Sequence, residues 1–339
     1  MTFPLISILT PSFNCGDIIH RLLDSVLEQT YPNVEMYVID DGSTDDTQII
    51  VESYIPLFEK RKYTLSYIYQ ENAGQSVAIN NGLKLIKGSY LVWPDSDDYY
   101  ASPRALEILI NVFLTENRKS DIGLVRCEAN LLDSQTLQYV GKLGLNARKK
   151  QSEYLFEDCL FAKNGYWFLA GGYMADLRLV DKYIVGREIY TEKITGQNWQ
   201  LMLPLLYENR CVTVKESLYN VLVRMESHSR GTSYKELLCK VQSYERTISG
   251  TLERMNCIPV KKKKKYKAAL YMKYVYEQMN LAVLFDRKEE MRQLYSELKR
   301  NRHQRKHISL RDRIKYFVLL DCHSFYSLFI NLKKSFFHG

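Results

Sequence analysis

The amino-acid sequence of 339 residues predicts an α/β fold with a mostly parallel sheet flanked by helices, followed by a mainly helical region. In the first 130 residues, short apolar runs alternate with amphipathic stretches, the order typical of parallel strands joined by helices. From Tyr234 onward, apolar residues recur at helical spacing. The charge divides in the same way: residues 1–230 hold 23 Lys and Arg against 29 Asp and Glu, whereas residues 231–339 hold 24 against 10. We therefore predict two domains, residues 1–230 and residues 231–339.

The elements of the first domain follow one another in strand and helix order. Buried strands are predicted at Leu5–Leu9, Val34–Ile39, Leu65–Tyr69 and Ser89–Trp93. Helices are predicted at 18–27, where the apolar stripe ends before Tyr31-Pro32, and at Gln75–Ile86. Ser43–Asp46 supplies capping and acidic residues for the start of a further helix, and that structural role explains its residue types fully.

The composition excludes several classes of protein. With 46% hydrophobic and 25% charged residues, the chain is neither a disordered tail nor a collagen-like rod. The seven cysteines are odd in number and form no C-x-x-C pair, which argues against a disulfide framework or a zinc ribbon and favours a reducing compartment. Because no basic residue precedes Leu5–Leu9, we expect no cleaved secretory signal. A membrane span is not expected either, since a run of about 18 uncharged apolar residues is lacking.

Three of the predicted strands end in polar groups, at Thr10–Asn14, Asp40–Gly42 and Asp95–Asp98. Ligands of open α/β sheets bind at this edge. Neither G-x-G-x-x-G nor G-x-x-x-x-G-K-[ST] occurs there, which excludes a dinucleotide or P-loop site. Several carboxylates at one edge repel one another unless a divalent cation lies between them, and hard oxygen ligands suit Mg²⁺ or Mn²⁺. The sequence therefore predicts a metal-assisted nucleotide or nucleotide-sugar site.

Three segments resemble the family 2 glycosyltransferases, which have the GT-A fold: PLISILTPSFN, SVLEQTYPNVEMYVIDDGSTDDT and ENAGQSVAINNGLKLIKGSYLVWPDSDD. The resemblance is strong over residues 4–130 and weaker over 150–230. It implies a metal-dependent enzyme that moves a sugar from a nucleotide donor to a hydroxyl group, usually with inversion. It also implies that residues 1–230 form a GT-A domain, whose function depends on the residues of its site.

The resemblance implies a donor site with the following members: Pro11, Phe13, Asn14, Asp40, Asp41, Asn72, Gly74, Gln75, Asn80, Asp95, Ser96 and Asp97. Phe13 would stack on the base, and Asp41, supported by Asp40, would accept its imide N–H, which favours a UDP- or dTDP-sugar. Asp97 or Asp98 would hold Mn²⁺ or Mg²⁺ on the diphosphate. His228 would approach the metal or the diphosphate, although a surface loop explains this histidine at least equally well. The arginine usual in this region of the family is Ile79 here, so one phosphate or ribose contact is missing or comes from elsewhere.

On the acceptor side, the resemblance points to Gln197 and Asn198. Many relatives have Glu-Asp at this position, and the aspartate takes the proton of the acceptor hydroxyl. Neither amide can serve as a general base. We therefore expect another carboxylate to do so, and Glu192, on the polar stretch just before, is our candidate. Glu188 and Asp158 are alternatives.

The basic domain admits two interpretations. Residues 314–330 combine apolar side chains with flanking Arg and Lys, the pattern of a helix lying on an anionic membrane surface, although docking on the protein's own core explains it nearly as well. Nucleic-acid binding is not expected, since no recognition motif accompanies the charge. By analogy, the enzyme would act at the inner face of the cytoplasmic membrane on a glycan or lipid-linked glycan, in bacterial surface polysaccharide synthesis. The alternatives are a nucleotide-sugar-binding protein without transferase activity and a nucleic-acid-binding protein.

Overall fold

The computed structural model describes residues 3–116, 122–145, 152–223 and 233–300. These residues form two compact units. The first contains the described residues up to 223 together with Arg254–Cys257, and the second contains residues 233–253 and 258–300. The predicted domain boundary at 230, the residue His228 and the segment 314–330 lie outside the described residues.

The described strands of the first unit form one mixed sheet. In chain order they are β1 (Ile6–Ser12), β2 (Val34–Asp40), β3 (Thr64–Tyr69), β4 (Tyr90–Val92), β5 (Tyr99–Tyr100), β6 (Ile122–Asp133), β7 (Tyr139–Leu143), β8 (Tyr173–Asp176) and β9 (Arg210–Val223). The order across the sheet is β3-β2-β1-β4-β8-β6-β9-β5, and β7 pairs with β6.

Helices of the first unit flank this sheet. They are α1 (His20–Leu27), α2 (Thr47–Lys60), α3 (Gln75–Leu83), α4 (Ala105–Thr115), α5 (Phe156–Leu160), α6 (Leu177–Tyr183) and α7 (Asn198–Leu206). The apolar stripe of α1 is buried at Leu22, Leu23 and Val26, as its spacing predicts. All seven residues of β1 are buried, so this strand lies at the centre of the core.

The part of the sheet made by β3, β2, β1 and β4 is parallel. Its register places Ser12, the last residue of β1, beside Asp40, the last residue of β2. Antiparallel pairing begins at β8, which lies between β4 and β6. Because parallel strands end at the same edge, the loops that follow β1, β2 and β4 meet there. The predicted α/β class with a helical region after it is confirmed.

The second unit is helical in its described part, with α8 (Tyr234–Arg254), α9 (Val260–Leu284) and α10 (Lys288–Arg300). Side chains of α9 and α10 form an apolar core with these members: Met272, Val275, Met279, Ala282, Val283, Met291 and Tyr295. The lysines at 261–265 lie in the first turns of α9 and are mostly exposed, as a solvated charge run is. Among the described helices, none combines the length and the apolar character needed to cross a membrane.

Candidate functional site

A cleft of about 490 Å³ lies at the edge where β1, β2 and β4 end. Its lining combines loops after these strands with the start of α3 and a segment near residue 193. The lining residues are Pro11, Ser12, Phe13, Asn14, Cys15, Ile18, Asp41, Asn72, Gly74, Gln75, Asp95, Ser96, Asp97 and Lys193. The three polar strand ends that the sequence singles out therefore meet in one cleft.

The loop after β1 is held in place by the loop after β2. The Asn14 amide donates to Ser43 Oγ at 2.8 Å, and the Asn14 side-chain oxygen accepts from the Thr44 amide at 2.9 Å. The Gly16 amide donates to Asp45 Oδ2 at 2.9 Å. The segment Ser43–Asp46 thus precedes a helix and also holds the loop that carries Phe13 in place through these hydrogen bonds. The Phe13 ring is 51% exposed, which leaves its face open to a planar ligand.

Asp41 joins the loop after β2 to the start of α3. Its carboxylate accepts from the amides of Ala73 and Gly74, both at 2.8 Å, and from Gln70 Nε2 at 2.7 Å. A carboxylate offers about four lone pairs, so one remains for a ligand. The neighbouring Asp40 is fully buried and does not line the cleft.

Asp40 instead supports the loop from behind. It accepts from the Ser43 amide at 2.7 Å and from the Tyr67 hydroxyl at 2.7 Å. Burial, and after it the bond with Asp40, raise the pKa of the Tyr67 hydroxyl, which therefore stays protonated as the donor. The supporting role that the resemblance implies for Asp40 fits this position.

The loop after β4 brings two half-buried carboxylates to the cleft, Asp95 and Asp97. Asp95 Oδ1 accepts from Gln75 Nε2 at 2.9 Å and from Gln197 Nε2 at 3.3 Å. Burial, followed by the charge of Asp97, raises the pKa of Asp95 to about 6. The negative charge of Asp97 thus adds to the cost of ionising Asp95, and a bound cation would lower that cost.

Asp98 points elsewhere. It is buried, does not line the cleft, and its Oδ1 accepts from the Leu222 amide of β9 at 2.9 Å. Of the two aspartates predicted as metal ligands, Asp97 is therefore the one that lines the cleft. No group of three or more His, Cys, Asp and Glu side chains that could hold a metal ion occurs within the described ranges. Asp98 as a ligand stays a prediction.

Four of the predicted donor residues lie in or next to α3, and three of them line the cleft. Asn72, Gly74 and Gln75 line the cleft. Asn80 lies away from the lining, because its side chain accepts from the Ile189 amide at 2.8 Å and donates to the Ile189 carbonyl at 3.2 Å. Asn80 thereby holds the segment at Ile189 against α3. Ile79 is fully buried in the core, so the cleft receives no cation from this helix.

The segment around Glu192 packs against the start of α3. The Ser76 hydroxyl accepts from the Glu192 amide at 3.0 Å and donates to the Glu192 carbonyl at 3.1 Å. The Glu192 side chain is partly exposed and does not line the cleft. The next residue, Lys193, does line it, and sequence reasoning missed this residue.

The two amides predicted at the acceptor side lie at the start of α7. Gln197 is buried and donates to Asp95, while its Oε1 has no hydrogen-bond partner in the described part of the chain. Asn198 Oδ1 accepts from the indole nitrogen of Trp93 at 3.4 Å. Both amides therefore position groups beside the loop after β4.

The two alternative bases are engaged elsewhere. Glu188 lies 3.5 Å from the guanidinium of Arg254. Asp158 accepts from Asn164 Nδ2 at 2.8 Å. Neither lines the cleft.

Three further residues line the cleft although the donor-site prediction omits them: Ser12, which lies within the polar strand end Thr10–Asn14, Cys15 and Ile18. Ser12 Oγ is buried and has no hydrogen-bond partner within the described ranges, as expected for a group that meets a ligand. The continuation of β1 to residue 12 was the available signal for Ser12. Burial raises the pKa of the Cys15 thiol, which therefore stays neutral at pH 7.

Known proteins resemble this chain in its first half by sequence. Residues 7–160 match the family model described as Glycosyl transferase family 2. An uncharacterized glycosyltransferase of Rickettsia prowazekii is 37% identical over 133 residues, which are 39% of this chain and 39% of that protein. Chondroitin synthase of Escherichia coli is 36% identical over 110 residues, which are 32% of this chain and 15% of the synthase. The matched segments thus span less than half of these relatives.

Solved structures resemble the fold over most of the chain. TarS 1-349 of S. aureus, in complex with UDP-GlcNAc, has a TM-score of 0.58 at 17% identity, over 86% of this chain and 79% of that one. The mannosyltransferase PcManGT from Pyrobaculum calidifontis, in complex with GDP-Man and Mn²⁺, has a TM-score of 0.55 at 15% identity, over 98% of this chain and 85% of that chain. At such identities the likeness concerns the fold, which is the GT-A fold predicted from the motifs. By sequence, residues 7–160 are therefore similar to glycosyltransferase family 2.

Proposed function

We propose that this glycosyltransferase moves a sugar from a UDP- or dTDP-sugar to a hydroxyl acceptor with inversion. The observation that carries the proposal is the cleft, where an exposed aromatic ring, a carboxylate with one free lone pair and an acidic loop lie along one wall. TarS, which shares the fold, was solved with UDP-GlcNAc. The match to chondroitin synthase supports a role in polysaccharide synthesis.

The base of the donor would lie between Phe13 and Asp41. The Phe13 face offers stacking, and such aromatic pairs contribute about 0.5–1.5 kcal/mol beyond their buried area. Uracil and thymine each carry one imide N–H, which suits the remaining lone pair of Asp41. Ser12 Oγ, which has no partner within the described ranges, is available to a polar group of the same ligand.

The acidic loop fits a divalent cation that is shared with the donor. Asp95 and Asp97 both line the cleft, and a third protein ligand is not found in the described part of the chain. Mg²⁺ in particular is often held by one or two carboxylates together with substrate phosphates. When bound, such an ion neutralises the charge that develops on the leaving diphosphate. PcManGT, with the same fold, was solved with Mn²⁺.

Inversion requires a group that receives the proton of the acceptor hydroxyl. Glu192 remains our candidate, because it directly precedes Lys193 of the cleft wall and its backbone is held on both sides by Ser76. Gln197 would act by orienting Asp95, to which it donates a hydrogen bond.

A second candidate function is nucleotide-sugar binding without transfer. The amides of Gln197 and Asn198, at positions where the proton acceptor is expected, favour it. The two functions differ in turnover but not in donor binding.

Turnover separates them. UDP- and dTDP-sugars should be incubated with the full chain and Mn²⁺, and release of the nucleoside diphosphate should be followed with and without glycan acceptors. Transfer predicts release that requires Mn²⁺ and that Asp97→Asn abolishes. Donor binding in calorimetry without any release would support the binding protein, and absence of both binding and release would refute the proposed donor class.

A further inference from the structure

We propose that Lys193 binds the diphosphate of the nucleotide donor. This inference rests on the proposed function, since it assigns a residue to the same cleft. Lys193 lines the cleft although it lies about a hundred positions beyond the acidic loop in sequence.

The charges of the residues that line the cleft are the first reason for this assignment. Among its lining residues are three aspartates, Asp41, Asp95 and Asp97, and a single basic residue, Lys193. A nucleoside diphosphate is itself an anion, so the aspartates alone would repel it. A divalent cation held by the acidic loop would offset part of this repulsion, and a second positive charge beside the phosphates would offset more of it. Lysine is a common phosphate ligand and acts there as a point charge.

The backbone of Lys193 is held in place by contacts on both sides. Gly74 has a φ of 99°, and a Cβ built there would lie 3.3 Å from Lys193 Cα, so the segment packs directly on this glycine. The preceding residue is fixed by its two hydrogen bonds with Ser76. Lys193 therefore stands beside the N-terminal end of α3, whose partial positive charge also favours an anion.

The ammonium group is free to bind a ligand. The Lys193 side chain is exposed, and within the described ranges it makes no ion pair or hydrogen bond. The neighbouring helix α3, with the sequence QSVAINNGL, contains no lysine or arginine that could take this role. A positioned backbone with an unpaired cation is what a site for an anionic group requires.

Calorimetric titration of the full chain in Mn²⁺ tests the assignment. The ligands are UDP, dTDP, and the matching nucleosides uridine and thymidine, at constant ionic strength. The variants are Lys193→Gln and Lys193→Arg, with Lys84→Gln as the control at an exposed lysine that does not line the cleft. We expect Lys193→Gln to lower the affinity for UDP or dTDP, whichever binds more tightly to the wild-type chain, by about tenfold. This is the lower end of what a charge-assisted hydrogen bond contributes. Nucleoside binding should stay unchanged, and Lys193→Arg should retain most of the affinity.

Three results would overturn the inference, and they differ in meaning. If the wild-type chain binds UDP or dTDP and Lys193→Gln binds it equally well, Lys193 is a solvated surface lysine and the proposed function stands. If Lys193→Gln weakens nucleoside and diphosphate binding equally, the residue acts on the shape of the cleft. If the wild-type chain binds neither diphosphate, the proposed function fails together with the inference.

Discussion

Replacing Gly74 with alanine tests whether the start of α3 and the segment at Lys193 form one wall. Gly74 has φ 99° and ψ 154°, a region that only glycine occupies readily. An added Cβ would meet the Cα, carbonyl oxygen and Cγ of Lys193 at 3.3, 3.5 and 3.7 Å. The first of these contacts is backbone and tighter than an ordinary van der Waals contact, so the segment must move or the glycine must rotate.

The structure sets the size of the effect. Holding alanine in this backbone region costs about 1–3 kcal/mol. Alanine also lowers the conformational entropy of the unfolded chain, which offsets about 0.4–1 kcal/mol of that cost. Displacement of Lys193 adds to the cost, so we expect a net loss of about 1–3 kcal/mol, which corresponds to a drop in Tm of about 2–12 °C for a domain of this size. UDP affinity should fall as well, because Asp41 accepts from the Gly74 amide and Lys193 packs on this residue.

Gly165→Ala is the matched control. Gly165 also has a positive φ, 74°, but a Cβ there meets nothing within 4 Å, so the substitution carries backbone strain without the contact. Thermal unfolding and calorimetric titration with UDP should be run on both variants. Equal Tm values for the two variants, combined with wild-type UDP affinity in Gly74→Ala, would refute the close packing described above.

Three further predictions concern other contacts. Asp98→Ala should lower Tm, because it leaves the buried Leu222 amide without its acceptor at a cost of about 1–3 kcal/mol, and a wild-type Tm in thermal unfolding would contradict this. Phe13→Ala should weaken uridine binding by about threefold to tenfold through lost stacking while Tm is kept, as calorimetry can measure, because the ring is 51% exposed. Burial raises the pKa of Glu128, but hydrogen bonds from Lys142 and the Leu145 amide outweigh burial and hold this pKa below its usual value. The ionised carboxylate therefore stabilises the fold at any pH above the usual pKa of glutamate. This stabilisation is lost as the pH falls through the lowered pKa of the folded protein. Glu128→Gln should therefore destabilise the protein at pH 7 and differ less from wild type in acid, and a difference in Tm that is constant with pH would contradict the ion pair.

Local patterns were enough to predict the parallel half of the sheet. The apolar runs at β1 and β2, the stripe of α1 and the polar strand ends are features of neighbouring residues, and topology then forces the strand ends together. The same patterns could not tell which way each aspartate of the loop after β4 points. Asp97 faces the cleft while Asp98 turns to the Leu222 amide, and that partner lies 124 positions away.

The acceptor side shows the limit of sequence reasoning more clearly. Lys193 lines the cleft because Ser76 and Asn80 hold the segment 189–192 against α3, across separations of 116 and 109 residues. Contacts between residues so far apart in the sequence leave no periodic pattern of apolar residues from which they could be predicted. The family resemblance implies a place at the donor for Asn80, but its side-chain amide bonds with both backbone groups of Ile189, a contact that the sequence could not reveal.

The position of β8 has a consequence for how the chain is built during synthesis. This strand of four residues, Tyr173–Asp176, joins the parallel half of the sheet to β6, and it lies beyond residues 7–160, which match the family model. Until β8 leaves the ribosome, β4 is an open edge with unpaired backbone groups, the kind of edge that recruits strands from other chains. A fragment cut at residue 160 would keep that edge permanently and would also lack the Leu222 partner of Asp98, so aggregation is the expected fate of a fragment that stops short of β8.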